Sequence, residues 1–282
     1  MTDTTQNRLV ALAIIVATPL LLGFFVVLIN STSGEVAGAL GSVLGGVIGA
    51  VGAALAVALT LLGERTEERR KEQIKEVSQI NVAISGVSYN IEILLHVVSD
   101  FIIPHHGESH IVFRALQEAQ DDPQKLQQLA SSFSAPNYPA LRKTCPELQF
   151  IEWDFFREVP FIIEKDPELL KNVGWVRGQS REINTTIKNH NAHLMDAMQM
   201  TMRQGGLTTS QLPSILHFQT SVADAECLTA LQLFEKLLDT QKRLEAINDT
   251  YTLNLRRLKM TAPESLGSVL RQLREIERMH LT

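Results

Sequence analysis

The sequence predicts an all-α fold in which an N-terminal two-helix transmembrane hairpin is followed by a cytoplasmic bundle of long helices. Three observations carry this reading. Residues 9–62 are almost free of charge and are interrupted only by a short polar turn, whereas the remainder is rich in Glu, Gln, Lys and Arg. Apolar residues in that remainder recur at spacings of three and four, the helical period. No alternating apolar and polar stretch of any length competes with them.

The chain has 282 residues and a net charge of −5, enough for a membrane segment plus one or two domains of about 100–200 residues. The acidic balance argues against general nucleic-acid binding, because phosphate contacts need Lys and Arg unopposed by carboxylates. Cys145 and Cys227 lie far apart in no metal-ligand or disulfide spacing and read as small core residues. Asn-x-Ser/Thr triplets at Asn30, Asn184 and Asn248 are not read as glycosylated, given the topology below.

A cytoplasmic tail, 1–8, precedes the first span, 9–29, whose ~20 apolar residues suffice to cross ~30 Å of hydrocarbon. A secretory signal is the rival reading, but this stretch exceeds the usual apolar region of ~7–15 residues and only Arg8 precedes it. Pro19 predicts a kink within the span. Residues 30–35, NSTSGE, form the external turn, and the glycine-rich second span, 36–62, contains no ionisable group. Arg65, Arg69, Arg70, Lys71 and Lys75 follow at once, while the turn has no Lys or Arg, so the positive-inside rule places both termini in the cytoplasm. The expected location is the inner (plasma) membrane, crossed twice.

Ala37, Gly41, Gly45, Gly49 and Ala53 recur every four residues in the second span, and Gly38, Ser42, Gly46, Ala50, Ala54 and Ala58 form a parallel row. Such a glycine zipper permits close helix approach, the main packing device in lipid. It suits either the first helix of the same chain or the same helix in neighbouring subunits. The absence of Asp, Glu, Lys, Arg and His from both spans argues against a pump, transporter or voltage sensor. The six-residue turn is too small for a receptor of external ligands.

The cytoplasmic domain, 63–282, opens on a seam of Val77, Ile80, Ile84, Val87, Ile91, Leu94, Val98 and Phe101, which Pro104 is expected to end. With the second span this helix makes one rod of ~65 residues and ~100 Å. Its seam reads as the core stripe of an intrachain bundle, because further helices follow to cover it. These are expected over 109–120, 123–133, from the Asp166-Pro167 cap pair to Gln204, from about 213 to 260, and after Pro263. The 213–260 stripe includes Ala223, Cys227, Ala230, Phe234, Leu237, Leu244, Tyr251, Leu255 and Leu258. An aromatic segment, 150–161, reads as core.

Candidate chemistry is sparse. The loop expected after Pro104 carries His105, His106, Glu108 and His110, possible metal ligands whose spacing fits no established zinc pattern. His190 and His193 share a helix face; His190 falls on an apolar seam and reads as a hydrogen-bonded core residue. No phosphate-binding glycine loop or nucleophile elbow occurs. No metal or cofactor is assigned on sequence, and the favoured reading is non-enzymatic, with catalysis left open by the pair that follows.

Arg274 and His280, with five residues between them, satisfy the Arg-x(4–6)-His pattern and so resemble the signature of the HEPN ribonucleases, which are also small helical bundles. The resemblance covers seven residues, with Glu275 where a polar residue often follows the Arg. It implies an RNA-cleaving pair completed across a dimer. The overall layout resembles that of bacterial growth-arrest and anti-phage defence proteins.

Two functions follow from these features. One is an oligomeric inner-membrane effector that forms a pore or disrupts the membrane in antiviral defence, its partners being the lipid bilayer, copies of itself and a cytoplasmic protein or small-molecule trigger. The other is a membrane-anchored scaffold or HEPN-like ribonuclease using Arg274 and His280. An anchor needs no paired small-residue faces, which favours the effector. For the topology, a reporter fused after Thr282 is expected to behave as cytoplasmic and one inserted in 31–34 as external; periplasmic activity of the C-terminal fusion would overturn the scheme.

Overall fold

The seam beginning at Val77 requires cover, and the computed structural model supplies it from within the chain. The structure describes residues 23, 26, 30, 34–132, 144–151, 160–204, 208–251, 257–259 and 262–281. Two compact units divide the chain, Met1–Glu72 and Gln73–Thr282. Among the described residues every regular element is helical: α1 Gly34–Val97, α2 Ile103–Ala119, α3 Pro123–Ser132, α4 Pro160–Lys165, α5 Pro167–Gln204, α6 Leu212–Asp249 and α7 Glu264–Leu281. The chain is therefore all-α, as its periodicity predicts.

In the first unit, the expected first span lies outside the described residues except for Gly23 and Val26. Of the turn expected at 30–35, residues 31–33 also lie outside them, and Gly34 begins α1. Among the described residues one continuous helical run, Leu55–Ala119, which starts in the first unit and ends in the second, is long and apolar enough to cross a membrane by length and composition; 56% of its most apolar stretch is buried inside the protein.

In the second unit, Val77, Ile80, Ile84, Val87, Ile91, Leu94 and Val98 of the first seam are all buried. They join one core with Leu169, Val176, Ile183 and Ile187 of α5, Cys227, Ala230, Phe234, Leu237 and Leu244 of α6, and Leu266, Val269, Leu273 and Ile276 of α7. The seam is thus the stripe of an intrachain bundle. A smaller cluster joins Leu116 of α2, Ala130 of α3, Leu194 of α5 and Leu212 and Leu216 of α6.

Two expectations are corrected. Pro104 does not end the seam helix. A π-helical turn, Val98–Ile102, closes with Ile103 N–H bonded to the carbonyl of Val98, and Pro104 then sits in the first turn of α2. A proline ring clashes with the carbonyl four residues back, here Asp100, and the widened π turn relieves that clash. The expected loop 104–110 is therefore helix. The turn also advances the phase of the stripe: buried positions run Leu94, Val98, Ile102, His106, with Phe101 only half-buried.

The second correction concerns α6, which stops at Asp249 and not near Met260. Asn248, Asp249 and Thr250 are weak helix formers whose side chains compete for the backbone; the Thr250 hydroxyl donates to the Ile247 carbonyl at 2.7 Å. Tyr251 is buried outside the helix, its hydroxyl donating to the Glu76 carboxylate with the Lys165 ammonium beside it. Leu258 is exposed, and Leu255 lies outside the described residues. In the aromatic segment, Phe150 and Phe161 pack against the core, whereas Trp153, Phe155 and Phe156 lie outside the described residues.

Residues 144–151 are irregular yet partly buried, so their backbone groups need partners. Three asparagines provide them. Asn191 accepts from Cys145 N–H at 3.0 Å and donates to its carbonyl at 2.9 Å. Asn184 does the same for Leu148 at 2.7 and 2.9 Å, and Asn90 accepts from Ile151 N–H at 2.9 Å. Asn184 is thereby committed to the strap in both amide directions. Asn184→Asp removes its donor and sets a carboxylate oxygen against the Leu148 carbonyl, so it is expected to cost about 1–3 kcal/mol. Limited proteolysis should then cut within 144–151 before any helix is cleaved; an unchanged digestion pattern would contradict the tether.

Candidate metal centre

His106 and His110 are one turn apart on α2 and so share a face. Opposite them α6 presents Asp224, and the last turn of α7 presents His280. The three imidazole Nε2 atoms converge on one carboxylate oxygen, Oδ1 of Asp224, at 3.0 Å from His106, 2.8 Å from His110 and 2.8 Å from His280. One donor atom from each of the four residues lies within 4.8 Å of the other three.

Exposure is graded across the cluster. The His106 side chain is 9% exposed and Asp224 15%, whereas His110 is 32% and His280 35% exposed. On the open side a cavity of about 560 Å³ is lined by Ile103, His106, His110, Arg114, Glu275 and His280, among others. Burial alone would raise the Asp224 carboxyl, but hydrogen bonds from His110 and His280 outweigh it and hold the group below the usual carboxylate range. Burial pulls His106 down, and the neighbouring His110 charge adds to this against the pull of Asp224. Both directions leave lone pairs available, so the constellation is able to hold a cation as well as a network of protons.

A second polar group lies behind the first. His190 Nδ1 is 3.2 Å from Glu226 Oε1, both side chains being almost fully buried, and the His105 ring lies 4.2 Å from that of His190. Burial drives His105 down to about 3, with the charges of His190 and His106 adding to it. Ser109 Oγ approaches His105 Nε2 at 3.4 Å. Glu226 Oε2 and His190 Nε2 have no hydrogen-bond partner among the described residues. His190 is a core histidine, and His193 is exposed with its ring against Phe218. Burial pushes the Cys145 thiol up to about 12 and the Cys227 thiol higher, so neither is poised as a nucleophile.

The sequence-derived candidates are thus redistributed. His106 and His110 meet His280, while His105 turns to the inner pair and Glu108 is exposed. Arg274 faces Glu235 at 3.4 Å, and His280 faces Asp224, eleven residues earlier on α6. Asp224 and Glu226 gave no local signal: one lies 114 positions from its His110 partner and the other 36 from His190. In α1, Arg65, Arg69, Arg70, Lys71 and Lys75 are exposed, as is Ala53. Among the described residues, a Cβ built on Gly45, Gly46, Gly49 or Gly52 meets nothing within 4 Å. Gly38, Gly41 and Ser42 lie within α1.

No protein-family model, curated protein or solved structure matches the chain.

The inner pair makes a stability prediction. Removing one member of a buried pair leaves the other uncompensated, at a cost of about 3–5 kcal/mol, whereas replacing both by apolar residues is often neutral. Glu226→Ala should therefore lower stability by that amount in chemical denaturation, and the double variant His190→Leu/Glu226→Leu should recover most of it. A loss below about 1 kcal/mol for Glu226→Ala would show that the pair does not hold the core together.

Proposed function

We propose that this protein is an oligomeric two-pass effector of the inner membrane. Its glycine-rich helix, 36–62, assembles with copies of itself into a pore or membrane-disrupting ring, and its cytoplasmic domain, 63–282, restrains that assembly until a cytoplasmic protein or small molecule binds. The observation that carries this reading is the open space at Gly45, Gly46, Gly49 and Gly52, where among the described residues an added Cβ meets no atom within 4 Å. Small-residue faces are the means by which helices associate in lipid, and among the described residues no atom lies within 4 Å of an added Cβ on these.

An uncharged, small-lined passage conducts when it is widened and wetted, so this gating needs no ionisable group in the span. The exposed basic residues 65–75 fit the cytoplasmic face, and the layout resembles that of bacterial anti-phage defence effectors. For the ribonuclease alternative, Arg274 and His280 would have to act on one phosphodiester, yet they are drawn to different carboxylates of α6. That favours the effector.

Overproducing or activating the protein is expected to depolarise cells, and Gly45→Leu or Gly49→Leu to abolish this. Among the described residues an added Cβ at these glycines meets no atom within 4 Å, and an unchanged mass of the purified Gly45→Leu and Gly49→Leu proteins in detergent would show that the rows serve only the intrachain hairpin. Arg274→Ala should leave depolarisation intact. A membrane-potential dye and an RNA-integrity gel on the same cells separate the readings: intact potential with RNA degraded in an Arg274-dependent way would overturn this one.

A further inference from the structure

We propose that His106, His110, Asp224 and His280 form a binding site for a divalent transition-metal ion of the zinc class, which staples α7 to α2 and α6.

The geometry of the Asp224 oxygen carries it. A carboxylate oxygen offers two lone-pair positions, yet three imidazole nitrogens from two different helices approach Oδ1 within 3.0 Å. Three hydrogen bonds to one oxygen exceed those positions. Four donors around one ion satisfy every group: in a tetrahedral site with bonds of about 2.0–2.1 Å the ligand atoms stand about 3.3 Å apart. The nitrogen–oxygen edges here are 2.8–3.0 Å and all donor pairs fall within 4.8 Å. Shifts of a few tenths of an ångström at Asp224, with closure of the wider nitrogen pairs, bring the four to coordination distance.

The donor set selects the ion. Three imidazoles and one carboxylate suit Zn²⁺, Co²⁺, Ni²⁺ or Fe²⁺; Ca²⁺ and Mg²⁺ demand oxygen ligands, and Cu⁺ prefers sulfur. Four protein ligands close the sphere in the manner of structural sites, so the ion acts as a cross-link and not as a Lewis acid. Its route in is the cavity on the side of His110 and His280, the two more exposed ligands. His106 and His110 already share one helix, so the ion's mechanical effect falls on α6 and α7, which it ties to α2.

The test uses the full chain in detergent, purified without a histidine tag, stripped with chelator and titrated with Co²⁺. Expected is one ion bound per chain with the intense visible bands of tetrahedral Co²⁺, displaced by Zn²⁺, and a rise in unfolding temperature on loading. Because His110 and His280 are each about a third exposed, His110→Ala and His280→Ala should keep the helical signal while weakening the ion by more than about 100-fold, beyond the 10–100-fold typical of outer-shell changes. His96→Ala, at an exposed histidine elsewhere on the surface, should leave binding unchanged. Failure to bind one equivalent, an octahedral spectrum, or equal loss in the His96 variant would each overturn the site.

Discussion

The second unit depends on α6 being buried on more than one side. Along its 38 residues the helix covers α5, α2 and α7 in turn, and its buried positions run from Leu212 to Asn248. A helix with that many neighbours has no solvent face wide enough to absorb all of its polar residues. Where α6 turns a carboxylate away from solvent, a neighbouring helix must answer it, because an unpaired charge out of water is costly. The positions of the imidazoles follow from that demand.

Asp224 and Glu226 are two residues apart, so their side chains diverge by about 200° around the axis. One is answered at the open edge by His106, His110 and His280, the other in the core by His190. His105 and His106, adjacent on α2, are divided between the two groups: the His105 ring stacks near His190, and His106 reaches Asp224. Further along α6, Asp239 takes hydrogen bonds from Asn172 and Arg243, and Arg243 also binds Asp166 at the start of α5. The carboxylates of α6 thus fix the registers of α2, α5 and α7 against it.

Local features of this fold were legible in the sequence. The Asp166-Pro167 pair opens α5 as expected, with Asp166 accepting from Glu168 N–H at 3.0 Å, and the stripe from Ala223 to Leu244 is buried residue for residue. Features set by tertiary partners were not legible. Tyr251 fitted the helical period, but it leaves α6 to reach Glu76 and Lys165, which periodicity cannot register. The strap at 144–151 carries no pattern of its own, because its hydrogen bonds go to Asn90, Asn184 and Asn191 on other elements. For the candidate site, His106, His110 and His280 were visible singly, the last beside Arg274 in a different role. Asp224 was invisible because only the packing of α2 on α6 brings it to them.

The π turn decides which histidines meet α6. Had the seam kept its period of three and four beyond Val98, the inward positions would have been Phe101, His105, Glu108 and Val112. One widened turn holds an extra residue, and an extra residue rotates everything after it by about 100°. The buried series becomes Ile102, His106, Ser109 and Leu116, and Glu108 is turned out to solvent. Pro104 makes the turn tolerable at this place, since an unwidened ladder would press its ring on the Asp100 carbonyl. The residue that reads as a helix breaker in the sequence is therefore accommodated by the same turn that aligns His106 with Asp224.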